Sequence, residues 1–413
     1  MAERVERVFA RGGTLLIEAG TGTGKTLAYL VPAIAAGDRV VISTGTRNLQ
    51  DQILEKEIPF LRETLGVEFT ACVMKGRENY LCRYRLGQFE REPLLEERDE
   101  ARWVPRIAEW ARRTGTGDRA EIVDLPDRLR MWRDVNARAD TCSGSRCPEF
   151  DPCWLTQLKR RAQQSQLVVV NHHLFFADLA LRSAFGSVIP DYRLVVFDEA
   201  HQLEQVATLY FGVQLSSAQI DELARDVERL ATRGGGPPGG GGAAELRRAS
   251  HELFGPLRDR VGAAAGRVRF DPVERGGPDV EVEWAALCEA FDEVCRRLPG
   301  AAGDADETSG ESIARRVDEL RDALTRVLDR RDPGFVYGME IRGRGSLVLN
   351  ASPIDVSQAL RERLFASLDA AVLTSATLAV GGSFDFFARR LGIDDAENDI
   401  VESPFDHRNQ ALL

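Results

Sequence analysis

A glycine-rich segment near the N-terminus contains the residue types that bind phosphate groups. Residues 18–26 read EAGTGTGKT; an apolar run that predicts a strand precedes them, and an apolar run that predicts a helix follows. Glycines let successive backbone N–H groups surround phosphate oxygens. Lys25 can pair with the β- and γ-phosphates of ATP, and the Thr26 hydroxyl can bind Mg²⁺. The predicted ATP-binding residues are Gly20, Thr21, Gly22, Thr23, Gly24, Lys25 and Thr26.

A second segment places carboxylates where they can bind magnesium and activate water. Residues 193–197 form an apolar run that predicts a strand, and the letters DEAH follow at 198–201. A buried parallel strand presents such side chains at the sheet edge where nucleotides bind. Asp198 is predicted to bind Mg²⁺, Glu199 to orient and deprotonate the attacking water, and His201 to sense the γ-phosphate. The predicted catalytic residues are Lys25, Asp198 and Glu199.

Two further apolar runs end in hydroxyl side chains. Residues 371–373 lead into the letters TSAT at 374–377, and residues 40–42 lead into STGT at 43–46. A strand that closes in S-A-T is similar to the helicase motif that couples nucleotide state to nucleic-acid contact. The Thr/Gly end of the other strand can hydrogen-bond to a row of phosphates. The predicted coupling and DNA-contacting residues are Thr44, Thr46, Ser375 and Thr377.

Four of the seven cysteines lie between residues 74 and 164, in the gap between the first two motifs. An odd number of cysteines in a chain with no export signal argues against a disulfide framework. Three of the four form a tight trio in the segment CSGSRCPEFDPC, and the fourth precedes them at a distance. Four thiolates suit either a 4Fe–4S cluster or tetrahedral zinc, although zinc more often uses paired knuckles. The predicted metal ligands are Cys82, Cys142, Cys147 and Cys153.

The distances between the motifs define the predicted domain organisation. The glycine-rich loop and DEAH are well over a hundred residues apart, as are DEAH and S-A-T. Such gaps are too long for loops, so two insertions are expected to interrupt one α/β core with a parallel sheet. The predicted boundaries are 1–73, 165–202 and 346–413 for the core, 74–164 for the cysteine-bearing insertion and 203–345 for the second insertion.

The second insertion has the pattern of amphipathic helices, with apolar residues at three- and four-residue spacing. A glycine- and proline-rich tract at 233–242 interrupts this pattern. Cys288 and Cys295 are seven residues apart and share one helix face, so they are predicted to be core residues rather than ligands. The clearest predicted helices are 244–262, 283–298 and 311–330.

Composition excludes some classes of protein. The net charge is −11, with 65 acidic and 54 basic residues, which argues against a protein that coats nucleic acid through bulk positive charge. A local basic groove remains compatible with that charge. The sequence has neither a long apolar stretch nor an apolar export signal, so a cytoplasmic protein with no membrane partner is expected.

The motifs together resemble the superfamily-two iron–sulfur DNA helicases of the DinG/XPD type, in particular the bacterial DinG-like branch. The resemblance spans the chain, although only the cysteines align within the insertions. KGRENYLC and VVVNHHLF are far more specific to this family than the ATPase motifs are. The matching segments are EAGTGTGKT (18–26), STGTRNLQDQ (43–52), KGRENYLC (75–82), CSGSRCPEFDPC (142–153), VVVNHHLF (168–175), VVFDEAH (195–201), LTSATL (373–378) and ESPFD (402–406).

The resemblance implies an α/β fold in which a RecA-like P-loop motor domain is interrupted by an iron–sulfur cluster domain and a helical arch domain. It also implies an ATP- and Mg²⁺-dependent helicase that moves 5′→3′ on single-stranded DNA. Forked, 5′-overhang or R-loop DNA would be its substrates in repair, recombination or removal of replication obstacles, and a monomer is expected. The implied ligands of the 4Fe–4S cluster are Cys82, Cys142, Cys147 and Cys153.

The sequence departs from the family pattern at both ends. Family members carry an upstream segment with an adenine-binding glutamine, and Met1 falls just short of it. Leu413 follows soon after ESPFD, so the second motor domain and its arginine finger are expected to be absent from this chain. The chain by itself is therefore expected to bind nucleotide weakly and to hydrolyse it slowly.

Two alternative functions remain compatible with parts of the sequence. A non-motor, metal-stabilised nucleic-acid-binding module could retain half of an ATPase, although an idle site would not need Lys25, Thr26, Asp198 and Glu199 together. An RNA helicase would be consistent with DEAH alone, and the cysteine insertion and KGRENYLC argue against it. ATP hydrolysis by a Lys25→Ala variant distinguishes a motor from the non-motor module. Unwinding of DNA compared with RNA distinguishes a DNA helicase from an RNA helicase.

Overall fold

The computed structural model describes residues 1–91, 100–126, 129–139, 141–185, 187–233, 239–264, 267–269, 280–298, 304–329, 332–343 and 345–402. Residues 403–406 of the ESPFD segment and 234–238 of the glycine-rich tract lie outside these ranges. The chain forms two compact units. The first unit comprises Met1–Arg138, Arg146–Tyr210 and Asp355–Leu413, and the second comprises Ala139–Ser145 and Phe211–Ile354.

The strands run as follows in chain order: β1 (Gly13–Ala19), β2 (Val40–Thr44), β3 (Ala71–Val73), β4 (Leu167–Asn171), β5 (Leu194–Asp198), β6 (Val213–Ser216), β7 (Val268–Arg269), β8 (Phe335–Arg342), β9 (Ser346–Pro353), β10 (Ala370–Ser375) and β11 (Glu397–Val401). The helices are α1 (Ala2–Arg11), α2 (Lys25–Ala35), α3 (Arg47–Gln52), α4 (Ile58–Leu65), α5 (Arg83–Arg91), α6 (Trp103–Ala111), α7 (Arg130–Val135), α8 (Trp154–Gln164), α9 (His172–Phe185), α10 (Leu203–Phe211), α11 (Ser217–Arg233), α12 (Ala243–Ala264), α13 (Glu281–Arg297), α14 (Asp304–Asp329), α15 (Ser357–Arg363) and α16 (Asp385–Leu391).

The first unit contains a seven-stranded sheet in the order β11-β1-β10-β5-β2-β4-β3, with every strand pair parallel. Every residue of β2, β5 and β10 is buried, as expected for parallel strands covered on both faces. These strands and β1 confirm the four strands predicted before the motifs. The predicted α/β fold with a parallel sheet is therefore confirmed.

The residues that follow β3 form a separate small core within the first unit. Three buried tryptophans, Trp103, Trp132 and Trp154, pack there with leucines and valines from α5, α6 and α7. The chain then returns to the sheet through α8 and β4. The described apolar side chains between Leu81 and Trp154 thus pack against one another.

The second unit combines α11, α12, α13 and α14 with a four-stranded sheet in the order β6-β9-β8-β7. The three helices predicted at 244–262, 283–298 and 311–330 are confirmed by α12, α13 and α14. The antiparallel pairing of β8 with β9 was not predicted from the sequence. Residues 346–353, assigned from the sequence to the last part of the core, form β9 of this sheet.

The core of the second unit is built from the apolar faces of its helices and sheet, including Phe254, Phe291 and Leu324. Cys288 and Cys295 are partly buried and pack against this cluster, which confirms the prediction that they are core residues. Burial raises the pKa of both thiols. Across the described ranges, no helix is both long and apolar enough to cross a membrane.

Candidate nucleotide site

The glycine-rich loop connects β1 to α2 in the manner that a phosphate-binding loop requires. Gly22 has φ +77° and Gly24 has φ +76°, a left-handed conformation that residues with a Cβ rarely adopt. The Thr23 hydroxyl donates a hydrogen bond to the carbonyl oxygen of Gly20 at 2.8 Å, which closes the loop on itself. The loop therefore ends at the N-terminus of α2, where unpaired backbone N–H groups favour anions.

Lys25 is the first residue of α2 and turns its ammonium group back across the loop. Its Nζ donates a hydrogen bond to the carbonyl oxygen of Ala19 at 3.0 Å and lies 4.0 Å from Glu199 Oε1. The side chain is 11 % exposed. A mostly buried ammonium group at the mouth of a glycine loop is suited to pairing with phosphate oxygens.

The parallel register brings the ends of three neighbouring strands to one edge. Glu18 of β1 pairs with Ser375 of β10, and Thr374 of β10 pairs with Asp198 of β5. The glycine-rich loop, DEAH and S-A-T therefore lie side by side at the carboxyl edge of the sheet. This is the edge at which ligands bind in open α/β sheets.

Asp198 is buried, with only 4 % of its surface exposed. Its Oδ1 accepts a hydrogen bond from the backbone N–H of Glu199 at 3.0 Å, and its Oδ2 accepts one from the Tyr29 hydroxyl at 3.1 Å. Burial raises the pKa of Asp198, the neighbouring charge of Glu199 raises it further, and the Tyr29 hydrogen bond opposes these effects. The carboxylate is thus held in one orientation by two donors.

Glu199 has φ +58° and ψ +43°, one of the few left-handed conformations among the described non-glycine residues. Such a conformation costs roughly 1–2 kcal/mol and persists only where the surroundings fix it. The Ser375 hydroxyl donates a hydrogen bond to Glu199 Oε2 at 3.1 Å. His201 Nδ1 lies 2.7 Å from Ser375 Oγ. The hydroxyl of the S-A-T motif therefore contacts both Glu199 and His201 of DEAH. This chain of contacts links the predicted general base to the predicted coupling motif.

The other predicted DNA-contacting residues are placed differently from one another. Thr44 is fully buried, and its hydroxyl donates a hydrogen bond to the carbonyl oxygen of Thr46 at 3.2 Å. Thr46 caps α3, because its Oγ1 accepts a hydrogen bond from the backbone N–H of Leu49 at 3.3 Å. Thr377 is exposed at the end of the S-A-T segment. Thr46 and Thr377 are therefore accessible to solvent, whereas Thr44 acts within the fold.

His172, in the VVVNHHLF segment, lies behind the nucleotide site and is fully buried. Its Nδ1 is 2.7 Å from Ser43 Oγ, at the end of β2. Burial lowers the pKa of His172 to about 4, and contacts with the backbone of Glu199 and Asp198 oppose only part of that shift. The native state therefore holds this imidazole in its neutral form.

The lowered pKa of His172 predicts a loss of stability in acid. In the unfolded chain His172 takes up a proton near pH 6.5, whereas in the native chain it does so only near pH 4. The contribution of neutral His172 to the free energy of unfolding is therefore complete above pH 6.5 and is lost as the pH falls towards 4. We expect the loss to be about 2–3 kcal/mol by pH 4.5. Urea unfolding at pH 7 and pH 4.5 measures it. A His172→Gln variant should lack this part of the pH dependence, whereas the exposed His251→Gln control should retain it; equal pH dependence in all three proteins would refute the assignment.

The four cysteines predicted to bind metal lie on separate segments of the chain. Cys82, Cys147 and Cys153 lie in the first unit, and Cys142 lies in the short segment Ala139–Ser145 that groups with the second. Among the residues the structure describes, no group of three or more His, Cys, Asp or Glu side chains is close enough to hold a metal ion. The predicted four-thiolate arrangement is therefore not assembled in this structure.

The backbone nevertheless brings the neighbourhoods of two of these cysteines together. Arg83, which follows Cys82, donates a hydrogen bond to the carbonyl oxygen of Pro152 at 2.9 Å, and its guanidinium lies 3.8 Å from the ring centroid of Trp154. Cys153 lies between these two partners and is the N-terminal capping residue of α8. The Arg83 contacts thus join the segment of Cys82 to the segment of Cys153.

Sequence reasoning missed two residues that contact the site. Tyr29 occurs in what reads as an ordinary apolar helix, and the one signal is its position four residues after Lys25 on the same helix face. Glu18 is the first letter of EAGTGTGKT, and its Oε2 accepts hydrogen bonds from the backbone N–H groups of Leu378 at 2.6 Å and Ala379 at 2.7 Å. It therefore ties the strand before the glycine-rich loop to the segment after S-A-T.

The fold and the candidate site have the arrangement of an α/β nucleotide-binding domain, and known proteins with similar sequences are helicases. Residues 3–90 match the family described as DEAD/DEAH box helicase. The chain is 34% identical over 435 residues to the ATP-dependent DNA helicase YoaA of Haemophilus influenzae, covering 100% of this chain and 65% of that protein. It is 30% identical over 450 residues to the ATP-dependent helicase DinG of Mycobacterium tuberculosis, covering 100% of this chain and 64% of that protein.

A solved structure of XPD in its apo form is similar with a TM-score of 0.48 and 15% identity, covering 99% of this chain and 58% of that one. The sequence matches confirm a resemblance to DEAD/DEAH box helicases and to the helicases named YoaA and DinG. The chain spans a little under two thirds of the length of the two curated relatives.

Proposed function

We propose that this chain forms one side of the ATP-binding site of a DNA helicase of the DinG-like type. The observation that carries the proposal is the convergence of Lys25, Glu199 and Ser375 at the carboxyl edge of one parallel sheet. A lysine at the mouth of a glycine loop supports phosphate binding, and a carboxylate beside it supports activation of water. The serine joins that carboxylate to a motif that, in helicases, responds to nucleic acid.

The proposed site fits Mg²⁺, which prefers carboxylate and hydroxyl oxygens. Thr26 and Asp198 would hold the ion, and Asp198 is already oriented by two hydrogen-bond donors. When bound, Mg²⁺ would neutralise charge on the β- and γ-phosphates. Lys25 would bind the same phosphates, Glu199 would take a proton from the attacking water, and His201 would sense the γ-phosphate.

The proposed nucleic-acid partner is single-stranded DNA, followed in the 5′→3′ direction, and the substrates are forked, 5′-overhang or R-loop DNA. Support comes from the name of the YoaA relative, an ATP-dependent DNA helicase, and from the accessible Thr46 and Thr377. Repair, recombination and removal of replication obstacles are the processes that such substrates indicate. DEAH alone is also consistent with an RNA helicase, and a comparison of DNA with RNA distinguishes the two classes.

Stimulation of ATP hydrolysis by nucleic acid tests this proposal. Single-turnover hydrolysis by the 413-residue chain is expected to be slow, and excess single-stranded DNA is expected to accelerate it, whereas RNA of the same sequence is not. In a longer protein that carries this chain, DNA duplexes with a 5′ overhang should be unwound and those with a 3′ overhang should not. Equal stimulation by RNA would favour an RNA helicase, and hydrolysis indifferent to both polymers would contradict the proposal.

We also propose that Cys82, Cys142, Cys147 and Cys153 bind a 4Fe–4S cluster. The proposal rests on the chemistry of four thiolates, on their sequence spacing, and on the contacts of Arg83 that join the segments of Cys82 and Cys153. Since the described residues do not assemble the ligand set, no step of ATP hydrolysis is assigned to the cluster. Zinc is the alternative that the same donors could bind.

Metal content and colour distinguish a 4Fe–4S cluster from bound zinc. Protein purified without oxygen is expected to be brown, with broad absorbance near ~400 nm, as cysteine-ligated iron–sulfur centres are. Cys147→Ser should remove most of the iron, whereas Cys288→Ser, which changes a core thiol, should retain it. Colourless protein with stoichiometric zinc would overturn the iron–sulfur assignment.

A further inference from the structure

Tyr29 is a buried aromatic residue that contacts a predicted magnesium ligand. It lies one turn along α2 from Lys25 and is fully buried. Its hydroxyl donates a hydrogen bond to Asp198 Oδ2 at 3.1 Å. A fully buried hydroxyl therefore contacts one of the two residues that are proposed to hold Mg²⁺.

The surroundings of Tyr29 restrict what this hydroxyl can do. The ring belongs to the apolar cluster that covers one face of the sheet, together with Leu15, Leu30 and Val196. A buried aromatic ring has few rotamers open to it, so its hydroxyl is fixed relative to β1 and β5. A buried hydroxyl also needs a hydrogen-bond partner. Here the partner is the Asp198 carboxylate, a candidate metal ligand that lies 169 positions further along the chain.

We infer that Tyr29 is a positioning residue for the metal ion of the nucleotide site, an inference that rests on the proposed function above. Its hydroxyl fixes the orientation of the Asp198 carboxylate before metal and nucleotide bind. Pre-organised ligands bind a metal more tightly, because less ordering remains to be done on binding. The hydroxyl is not itself placed among the metal ligands.

A Tyr29→Phe variant tests this inference, because it removes one oxygen and retains the ring. Mn²⁺ serves as the probe: its binding in the presence of ADP is followed by the loss of the free-ion electron paramagnetic resonance signal. We expect the Mn²⁺ affinity of the variant to fall about tenfold, as for loss of one hydrogen bond to a charged group. Binding of a fluorescent ADP in EDTA should be unchanged, since metal-free nucleotide does not use the positioned carboxylate.

The matched control is Tyr337→Phe in the second unit. Tyr337 is also a buried tyrosine whose hydroxyl is hydrogen-bonded, in this case to the backbone of Asp332, and it should retain full Mn²⁺ affinity. A double-mutant cycle provides a second measurement: in an Asp198→Asn background, Tyr29→Phe should have little further effect on Mn²⁺ affinity. Effects that simply add would indicate a general packing role and overturn the inference.

Failure of the proposed function and failure of the inference about Tyr29 give different experimental results. If the unsubstituted chain does not bind the fluorescent ADP, the proposed function is contradicted and the inference falls with it. If the unsubstituted chain binds ADP and Mn²⁺ but Tyr29→Phe has the same Mn²⁺ affinity, the inference alone is overturned. A melting temperature equal to that of the unsubstituted chain, with weakened Mn²⁺ binding, would support it.

Discussion

Replacing Glu199 by glutamine is expected to slow ATP hydrolysis by about 10²–10⁴-fold while leaving nucleotide affinity nearly unchanged. Glutamine keeps an oxygen that can accept the hydrogen bond now donated by the Ser375 hydroxyl at 3.1 Å. It cannot take a proton from water. The geometry of the site is thus retained and the proposed base is removed. Single-turnover hydrolysis and equilibrium binding of a fluorescent ATP analogue measure the two effects separately.

The control for this variant is Glu63→Gln, an exposed glutamate on α4 away from the sheet edge. It loses the same charge and should hydrolyse ATP at the unsubstituted rate. Hydrolysis by Glu199→Gln within a few-fold of that rate would show that another group activates the water. Lost binding with the rate of bound nucleotide unchanged would instead place Glu199 among the phosphate-binding groups.

Replacing Lys75 by methionine is expected to loosen the contact between the cysteine-bearing insertion and the sheet. Lys75 Nζ pairs with Asp51 Oδ1 of α3 at 2.8 Å and with Asp118 Oδ2 at 2.9 Å, and its side chain is 8 % exposed. Burial alone would lower the pKa of Lys75, but hydrogen bonds and attraction from Asp51 and Asp118 outweigh it and raise the pKa. Methionine has a similar length and leaves two carboxylates close together with no cation between them.

The expected cost of Lys75→Met is about 2 kcal/mol in the free energy of unfolding, below the usual figure for breaking a buried pair because Asp51 is partly exposed to solvent. Urea unfolding measures the cost, and limited proteolysis reports on residues 74–164. A second substitution, Asp118→Asn, should recover part of the loss, since it removes one of the two uncompensated charges. The exposed Lys56→Met provides the control. Stability within 0.5 kcal/mol of the unsubstituted chain, which is the usual range for a surface change, would contradict this account.

The sequence predicted the parallel strands and the motifs at their ends because both are local signals. The apolar runs before the glycine-rich loop, before DEAH and before S-A-T each have the length of a buried strand, and each ends in residues that strands do not favour. Their alignment at one edge then follows from the geometry of a parallel sheet. Prediction was therefore most successful where a few consecutive residues carry the information.

The contacts that cross the site could not be predicted, because they join residues far apart in the chain. Tyr29 reaches Asp198 across 169 positions, and Glu18 reaches Leu378 across 360. Neither side chain carries a local signal that identifies its distant partner. The antiparallel pairing of β8 with β9 was not predicted, because the helical periodicity of the neighbouring segments dominates that part of the sequence.

Binding of Mg·ATP by the 413-residue chain tests the central claim most directly, with Lys25→Ala as the variant. Lys25 is the most buried charge at the mouth of the glycine-rich loop that the structure describes, and its loss should reduce the affinity for a fluorescent Mg·ATP analogue by about a hundredfold. The exposed Lys56→Ala should bind like the unsubstituted chain. If Lys25→Ala binds Mg·ATP as tightly as the unsubstituted chain does, the glycine-rich loop is not a phosphate-binding site and the account is wrong.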